Sequence, residues 1–107
     1  MPQLTFDIPS ALAELPQIEQ ERLVRAGLYE AVRARRSQVE SSIAAAQKEV
    51  RRLEQRYGVS FSTFESEILP DATSQQAHED YNDWYFWTES LVEQQQFLDV
   101  LRGLDLH

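Results

Sequence analysis

The residues of this chain that are best equipped for chemistry lie close together, in the stretch HEDYNDWYFWTES at residues 78–90. Large aromatic rings alternate there with carboxylates. Tryptophan and tyrosine are common anchors in protein interfaces, and acidic neighbours steer a basic partner toward them. The chemistry that this segment predicts is therefore the binding of another molecule. The expected binding residues are Tyr81, Trp84, Tyr85, Phe86, Trp87, Asp80, Asp83 and Leu91.

The rings of this segment cannot all lie on one face of a helix. Trp84, Trp87 and Leu91 recur at helical spacing and form one stripe, which we expect to pack inside the protein. Tyr85 and Phe86 lie outside that stripe on the helix surface, so much of their ring surface should stay exposed in the free protein. The sequence thus predicts a segment that is part core and part docking surface. The simpler interpretation is that the two tryptophans only close a helical hairpin on the preceding helix.

Residue patterns for catalysis or for metal binding are missing from the sequence. There is no cysteine, and neither His78 nor His107 has a second ligand at a metal-binding spacing. No serine is flanked by glycines in the manner of a catalytic nucleophile, and Gly27, Gly58 and Gly103 are too far apart to form a phosphate-binding loop. We therefore expect a protein that is not an enzyme and that holds no metal and no cofactor.

Charge is divided unevenly between the two halves of the 107-residue chain, whose net charge is −8. Residues 1–56 hold nine basic and eight acidic residues, whereas residues 57–107 hold ten acidic residues and a single basic one, Arg102. Halves of opposite sign indicate different partners for the two ends. An acidic half can also serve only to keep a small protein soluble.

The basic residues of the first half include a run that could neutralise DNA phosphates while a neighbouring strand enters a groove. The alternative is that this run is only the solvated face of a helix. The expected DNA contacts are Gln3, Thr5, Arg22, Arg25, Arg33, Arg35 and Arg36.

A β-strand is predicted at the N-terminus, where Leu4, Phe6 and Ile8 alternate with polar residues between two prolines. A lone strand leaves its backbone N–H and C=O groups unpaired, so it needs a partner from another chain. Pairing with the same strand of a second copy would make a homodimer held in part by these three side chains. The alternative is an extended N-terminal tail.

A long helical pattern follows from residue 18, and its second half repeats apolar residues at steps of four and three. That repeat is the seam of a helix that packs along another helix. Ser37 and Glu40 have the spacing of a capping box, so the helix either breaks there or runs on to Tyr57, where Gly58 has the position of a helix-ending glycine. The seam residues are Val39, Ile43, Ala46, Val50, Leu53 and Tyr57.

Two further helices complete the chain. A short one begins at Ser60 or Ser62 and is stopped by Pro70. A long acidic one begins at His78 and carries Glu79 in its first turn, where the helix dipole favours negative charge.

The predicted fold is mainly α. It has one short N-terminal strand pairing across a dimer, a long central helix, a short helix, and a C-terminal acidic helix that folds back as a helical hairpin. Residues 1–36 would form the dimerisation part with the candidate DNA contacts, and residues 37–107 a helical arm that ends in the partner-binding helix. No apolar run reaches the ~20 residues of a membrane span, so we expect a cytoplasmic protein without a membrane partner.

Several short motifs follow one another in a recognisable order: LTFDIP, a long Arg-rich helix, RYGVSFSTFES, a polar connector and the acidic HEDYNDWYFWTESL. In this order they resemble the small antitoxins of prokaryotic type II toxin–antitoxin operons. The matching positions are Tyr57, Gly58, Ser60, Phe61, Phe64 and Glu65, then Glu79, Asp80, Tyr81 and Trp84.

The resemblance implies a molecule in two parts. The N-terminal part would dimerise and bind the operon's own promoter, and the C-terminal part would mask a toxin, usually a basic ribonuclease. The chain departs from ribbon-helix-helix repressors at Pro16, which leaves room for only a very short first helix, so DNA binding stays an open alternative. The rival interpretation is a structural or adaptor subunit, a helical hairpin that self-assembles along the seam at residues 39–57.

Overall fold

The structure of the chain is a computed structural model that describes residues 9–104. It is mainly helical, as predicted. The described residues contain no strand, and the predicted strand with Leu4, Phe6 and Ile8 lies outside them. The elements in chain order are a 3-10 turn (Ser10–Glu14), helix α1 (Gln17–Tyr57), the short helix α2 (Phe61–Thr63), a π-helical turn (Phe64–Ile68), a second 3-10 turn (Leu69–Asp71) and helix α3 (Gln75–Arg102).

Helix α1 runs without a break through all 41 of its residues. The capping-box spacing at Ser37 and Glu40 does not interrupt it, because the alanine and arginines just before Ser37 are good helix formers. Helix α1 ends where Gly58 adopts a left-handed backbone with φ of 71° and donates its N–H to the carbonyl of Glu54 at 2.7 Å. The predicted glycine at the helix end is confirmed.

Helix α3 folds back along the C-terminal half of α1, and the predicted helical hairpin is confirmed. Arg102 near the end of α3 lies 3.6 Å from Glu40 of α1, which places the two helices antiparallel. Two clusters of buried side chains hold them together, and each fully buried Leu, Ile or Val side chain typically contributes about 1.5–3 kcal/mol. The cluster near the turn consists of Leu53, Phe64, Ala77 and Trp84, and the distal cluster of Val39, Ile43, Leu98 and Leu101.

The heptad seam of α1 is used inside the chain. Val39, Ile43, Ala46 and Leu53 are buried, and the two other seam positions are half-buried against α3 or the turn. In this conformation the seam is therefore covered and offers no surface to a second copy. Self-assembly of the hairpin would have to use another face.

Serine side chains cap the N-termini of the two helices that follow α1. The Ser60 hydroxyl accepts the Thr63 N–H at 3.3 Å and begins α2, in agreement with the sequence. The Ser74 hydroxyl accepts the Ala77 N–H at 3.1 Å and begins α3 three residues before the predicted start at His78. The predicted start was wrong because serine is a better N-cap than the residues that precede His78 directly.

The N-terminal part of α1 extends beyond the hairpin. Helix α3 has 28 residues against 41 in α1, so α1 is about 20 Å longer. The protein is accordingly elongated, with extents of 69 × 23 × 21 Å. We call residues 17–31 the α1 overhang. Its apolar side chains have no partner helix in the described chain and are exposed: Ile18, Leu23, Val24 and Leu28.

Candidate protein-interaction surface

The aromatic residues of α3 divide between the core and the surface. Trp84 has no exposed surface, and Trp87 and Leu91 are half-buried. Tyr85 is 49% exposed and Phe86 is 59% exposed. The prediction that these two rings stay exposed beside an internal stripe is confirmed.

Trp84 lies at the centre of the cluster near the turn. Its ring centroid is 5.2 Å from that of Phe64, 5.5 Å from Phe61 and 6.0 Å from Tyr57, which are contact distances for aromatic pairs. Its Nε1 and the hydroxyl of Thr88 are buried without a hydrogen-bond partner. Trp84 was among the expected binding residues, but its ring is enclosed by the chain and is not accessible to a partner.

Asp80 is buried as well, with 3% of its surface exposed. It accepts hydrogen bonds from the Tyr57 hydroxyl and from Gln76 Nε2 at 3.0 Å, and Arg56 Nε lies 3.4 Å from its Oδ2. Burial and the hydrogen bond to Asp80 raise the pKa of Tyr57 above its usual value of 10.0. Asp80 therefore joins α3 to the end of α1.

The sequence contained one signal for the position of Asp80, namely its spacing. Asp80 precedes Trp84 by four residues and Trp87 by seven, which places all three on the same side of α3. We expected a solvated carboxylate in the partner-binding set. The buried position and the three contacts of Asp80 show a structural carboxylate instead.

The outward side of α3 combines apolar and acidic residues. Six of the exposed side chains from Tyr85 to Val100 fall within an arc of about 120°, at about 100° of rotation per residue. Val92 and Val100, which are 51% and 63% exposed, were not among the expected binding residues, although Val92 follows Tyr85 by seven residues. We call the set the α3 outer face: Tyr85, Phe86, Glu89, Val92, Glu93 and Val100.

Asp83 is exposed but lies elsewhere on α3. Helix geometry places it about 160° away from Tyr85, on the other side of the helix. The structure thus brings Tyr85 and Phe86 together and separates Asp83 from Tyr85. Asp83 is three residues from Phe86 and borders that ring alone, whereas Glu89, which was expected beside the exposed rings, and Glu93, which was not, lie within the same arc as both rings.

Three rings and a carboxylate form a second feature, at the edge of the α3 outer face. Phe61 stacks on Tyr81 with centroids 5.6 Å apart, and Tyr85 lies 6.2 Å from Tyr81 and 6.3 Å from Phe61. The Tyr81 hydroxyl donates to Glu65 Oε2 at 2.6 Å. This hydrogen bond raises the pKa of Tyr81 above its usual value. We call Phe61, Tyr81, Tyr85 and Glu65 the ring cluster.

The candidate DNA contacts that the structure describes are all on α1. At about 100° per residue, Arg22, Arg25, Arg33 and Arg36 fall within an arc of about 80°, and Arg35 lies outside it. Arg35 instead lies over the Phe97 ring, 5.2 Å from its centroid. Two of the four are ion-paired within the helix: Arg22 with Glu19 at 2.9 Å and Arg33 with Glu30 at 4.0 Å. Gln3 and Thr5 lie outside the described residues.

Between residues 9 and 104, no three His, Asp or Glu side chains gather in a way that could hold a metal ion. None of the helices in that range is both long enough and apolar enough to cross a membrane. Comparison of the chain with protein-family models, with curated proteins and with solved structures gave no match.

Proposed function

We propose that this chain is a non-enzymatic, cytoplasmic antitoxin that binds and neutralises a basic protein toxin, of the ribonuclease class, through the α3 outer face. One observation carries the proposal: Tyr85 and Phe86 stay exposed beside carboxylates, while Trp84 is enclosed and Tyr81 and Trp87 are half-buried. Adjacent exposed rings framed by charge are typical of a surface that a partner covers.

The charge of α3 supports a basic partner. The helix holds six carboxylates, and its single basic side chain, Arg102, is paired with Glu40 of α1. A surface of one sign accelerates the encounter with a partner of the opposite sign, and buried rings then slow dissociation. Glu89 and Glu93 would accelerate the encounter with the partner, and Tyr85 and Phe86 would slow its dissociation.

The test is a double substitution on the α3 outer face. The chain is isolated from its native host, the basic protein that co-purifies is identified, and its affinity for the chain is measured. Tyr85→Ala combined with Phe86→Ala should weaken that affinity by about 2 kcal/mol or more, because interface anchors truncated to alanine typically cost this much. The thermal unfolding of the unbound chain should stay nearly unchanged, since both rings are exposed.

Tyr29→Ala provides the control, because Tyr29 is 47% exposed but lies on the α1 overhang. It should leave affinity for the basic partner unchanged. The proposal fails if no basic protein co-purifies, or if the double variant binds and neutralises the partner as well as the native chain.

Two further parts of the proposal concern α1. We propose that the chain forms a homodimer through the apolar side of the α1 overhang, where Val24, Leu28 and Ala31 recur at steps of four and three and are exposed. This same observation favours the second candidate function, a structural hairpin subunit that self-assembles and binds no toxin. The identity of the co-purifying protein separates the two functions.

We also propose autorepression through operator DNA, in which Arg22, Arg25, Arg33 and Arg36, the arginine strip of α1, would hold phosphates. Among the described residues Arg25 and Arg36 form no ion pair, and the pairs of Arg22 and Arg33 are exposed and weak enough to be exchanged for phosphate. Binding of upstream operon DNA should fall steeply with salt, and Arg33→Ala should flatten the slope by about one unit. Absence of a mobility shift at low salt, with and without the toxin, would remove DNA from the proposal.

A further inference from the structure

The ring cluster holds the exposed Tyr85 ring in a fixed position. Phe61 covers one side of Tyr81, and Tyr81 in turn supports Tyr85, so the half-exposed Tyr85 ring is held in place from behind. Aromatic pairs at these distances attract each other and lose little freedom when a ligand arrives. A preorganised ring with one open side beside a carboxylate is a suitable platform for a flat cation.

The chain itself uses its rings in this way at two other places. Arg35 lies 5.2 Å from the centroid of Phe97, and Arg56 lies 5.9 Å from the centroid of Tyr57. In residues 9–104, no cation occupies the corresponding position over Phe61, Tyr81 or Tyr85. Within the same range, Glu65 forms no ion pair, and its Oε2 only accepts the Tyr81 hydroxyl.

A second carboxylate borders the platform. Glu89 follows Tyr85 by four residues and is exposed, so the two side chains are neighbours on the surface of α3. Negative charge thus borders the ring cluster at two points, at Glu65, which accepts the Tyr81 hydroxyl, and at Glu89, one turn beyond Tyr85 on α3. Neither Glu65 nor Glu89 contributes to the hydrophobic core, since both are exposed.

We propose that the ring cluster binds a guanidinium group, the side chain of an arginine on the surface of the basic partner. This inference rests on the proposed function, because it names the side chain through which the partner engages α3. The planar guanidinium stacks on Tyr85 and donates hydrogen bonds to Glu65. Arginine fits better than lysine, whose compact ammonium group neither stacks nor forms parallel hydrogen bonds with a carboxylate.

The site can be tested on the full chain without the partner. Blocked tripeptides with arginine, lysine or citrulline between two glycines are titrated while the ring resonances of the four tyrosines are followed by NMR. The arginine peptide should move the resonances of Tyr85 and Tyr81 at millimolar concentration and leave those of Tyr29 in place. The lysine peptide should move them less. Citrulline, which has nearly the shape of arginine without its charge, should not move them.

Two variants and two matched controls locate the site. Tyr85→Leu and Glu65→Gln should each reduce the arginine-dependent shifts of Tyr81 severalfold. Tyr29→Leu removes a tyrosine of similar exposure, and Glu67→Gln removes a carboxylate of the same π-helical turn. Both controls should leave the shifts unchanged. Because the native chain is titrated first, the result does not depend on the folding of any variant.

The outcomes separate this inference from the proposed function. No shift with the arginine peptide, or equal shifts at Tyr29 and Tyr85, would overturn the guanidinium site even if a toxin is found. The same holds if the toxin binds the Tyr85→Leu and Glu65→Gln variants with native affinity, where we expect a loss of roughly tenfold. Selective arginine shifts without any basic partner in the host would support the site and remove the antitoxin function.

Discussion

Asp80 and Trp84 lie one turn apart on the inner side of α3 and stabilise the hairpin by different means. Trp84 fills the space between Tyr57 and Phe64 and contributes through burial of its large ring. Asp80 contributes through three polar contacts, because a buried carboxylate is tolerated only when it is paired and hydrogen-bonded. Removing either side chain should destabilise the same buried cluster, but the two removals should affect the pH dependence of the free energy of unfolding differently.

Replacement of Trp84 tests the assignment of the inner side. Trp84→Ala should lower the free energy of unfolding by about 3–5 kcal/mol, because it leaves a cavity among the surrounding rings. Trp84→Phe should cost less, since a smaller cavity remains and the indole N–H that it removes has no hydrogen-bond partner. Both are measured by urea unfolding. Phe86→Ala on the outer side should stay within about 0.5 kcal/mol of the native chain. A larger effect of Phe86→Ala than of Trp84→Phe would reverse the assignment of the two sides.

Tyr57 should make stability depend on alkaline pH. The pKa of Tyr57 is raised in the folded chain, by burial first and by Asp80 second, so the unfolded chain loses the phenolic proton at a lower pH. The contribution of this proton to stability is complete below a pH of about 10 and is lost as the pH rises through the folded pKa. Urea midpoints measured from about pH 8 to about pH 11 should fall more steeply for the native chain than for Tyr57→Phe.

Tyr57→Phe should also cost about 1 kcal/mol at neutral pH, because Asp80 loses one of its hydrogen-bond donors. Tyr81→Phe is the comparison, since the pKa of Tyr81 is raised mainly by its hydrogen bond to Glu65 near the surface. Tyr81→Phe should change the fall of the urea midpoint at alkaline pH less than Tyr57→Phe does. Equal slopes for the native chain and Tyr57→Phe would contradict the role of the Tyr57–Asp80 contact.

At the scale of the elements, Gly27 within α1 and Gly58 just after its last residue should respond to alanine in opposite directions. Gly58 ends the helix at φ of 71°, and Gly27 lies within the helix; in both cases an added Cβ would meet no atom within 4 Å. Gly58→Ala should therefore cost about 1 kcal/mol through backbone strain alone. Gly27→Ala should stabilise the chain by up to about 1 kcal/mol through higher helix propensity. Thermal unfolding of the two variants should shift to opposite sides of the native midpoint.

The long elements were predictable because each carries a repeated signal. The seam at residues 39–57 predicted a helix that packs on another helix, and Gly58 fixed its end. The start of α3 was missed, since Ser74 lies in a polar connector where one cap differs little from its neighbours in sequence. The continuity of α1 at Ser37 was favoured only slightly, because the capping-box spacing of Ser37 and Glu40 competes with the helix propensity of the alanine and arginines that precede it.

The interaction surface was predictable in part. The spacing of Trp84, Tyr85 and Phe86 was sufficient to divide the rings between core and surface. The ring cluster was not foreseen, because it joins Phe61 and Glu65 to Tyr81 and Tyr85 across the hairpin turn, and such contacts depend on the angle between the helices. Asp80 was misplaced because a carboxylate on a helix is usually solvated, and only its contacts with Tyr57 and Arg56 explain its burial.

At the scale of the whole molecule, the described chain separates two chemistries along its length. The α1 overhang combines arginines with exposed apolar residues, and the hairpin presents the acidic α3 outer face. The overhang lacks a partner within the described chain, although helices of this length are marginal in water without packing. The hairpin seam is covered by α3, so the overhang is the part of α1 that a second copy can still reach.

Assembly is therefore expected to depend on Leu28. Leu28→Glu should shift the protein from dimer to monomer in sedimentation velocity at micromolar concentration, because a carboxylate buried between two apolar helix faces is unpaired. Ala26→Glu adds the same charge about 160° away around the helix and should leave the dimer intact. Removal of residues 1–9, which include the predicted strand with Leu4, Phe6 and Ile8, tests the other route to a dimer. A dimer that survives Leu28→Glu but dissociates on this truncation would place the interface in the N-terminal segment and remove the overhang from the proposal.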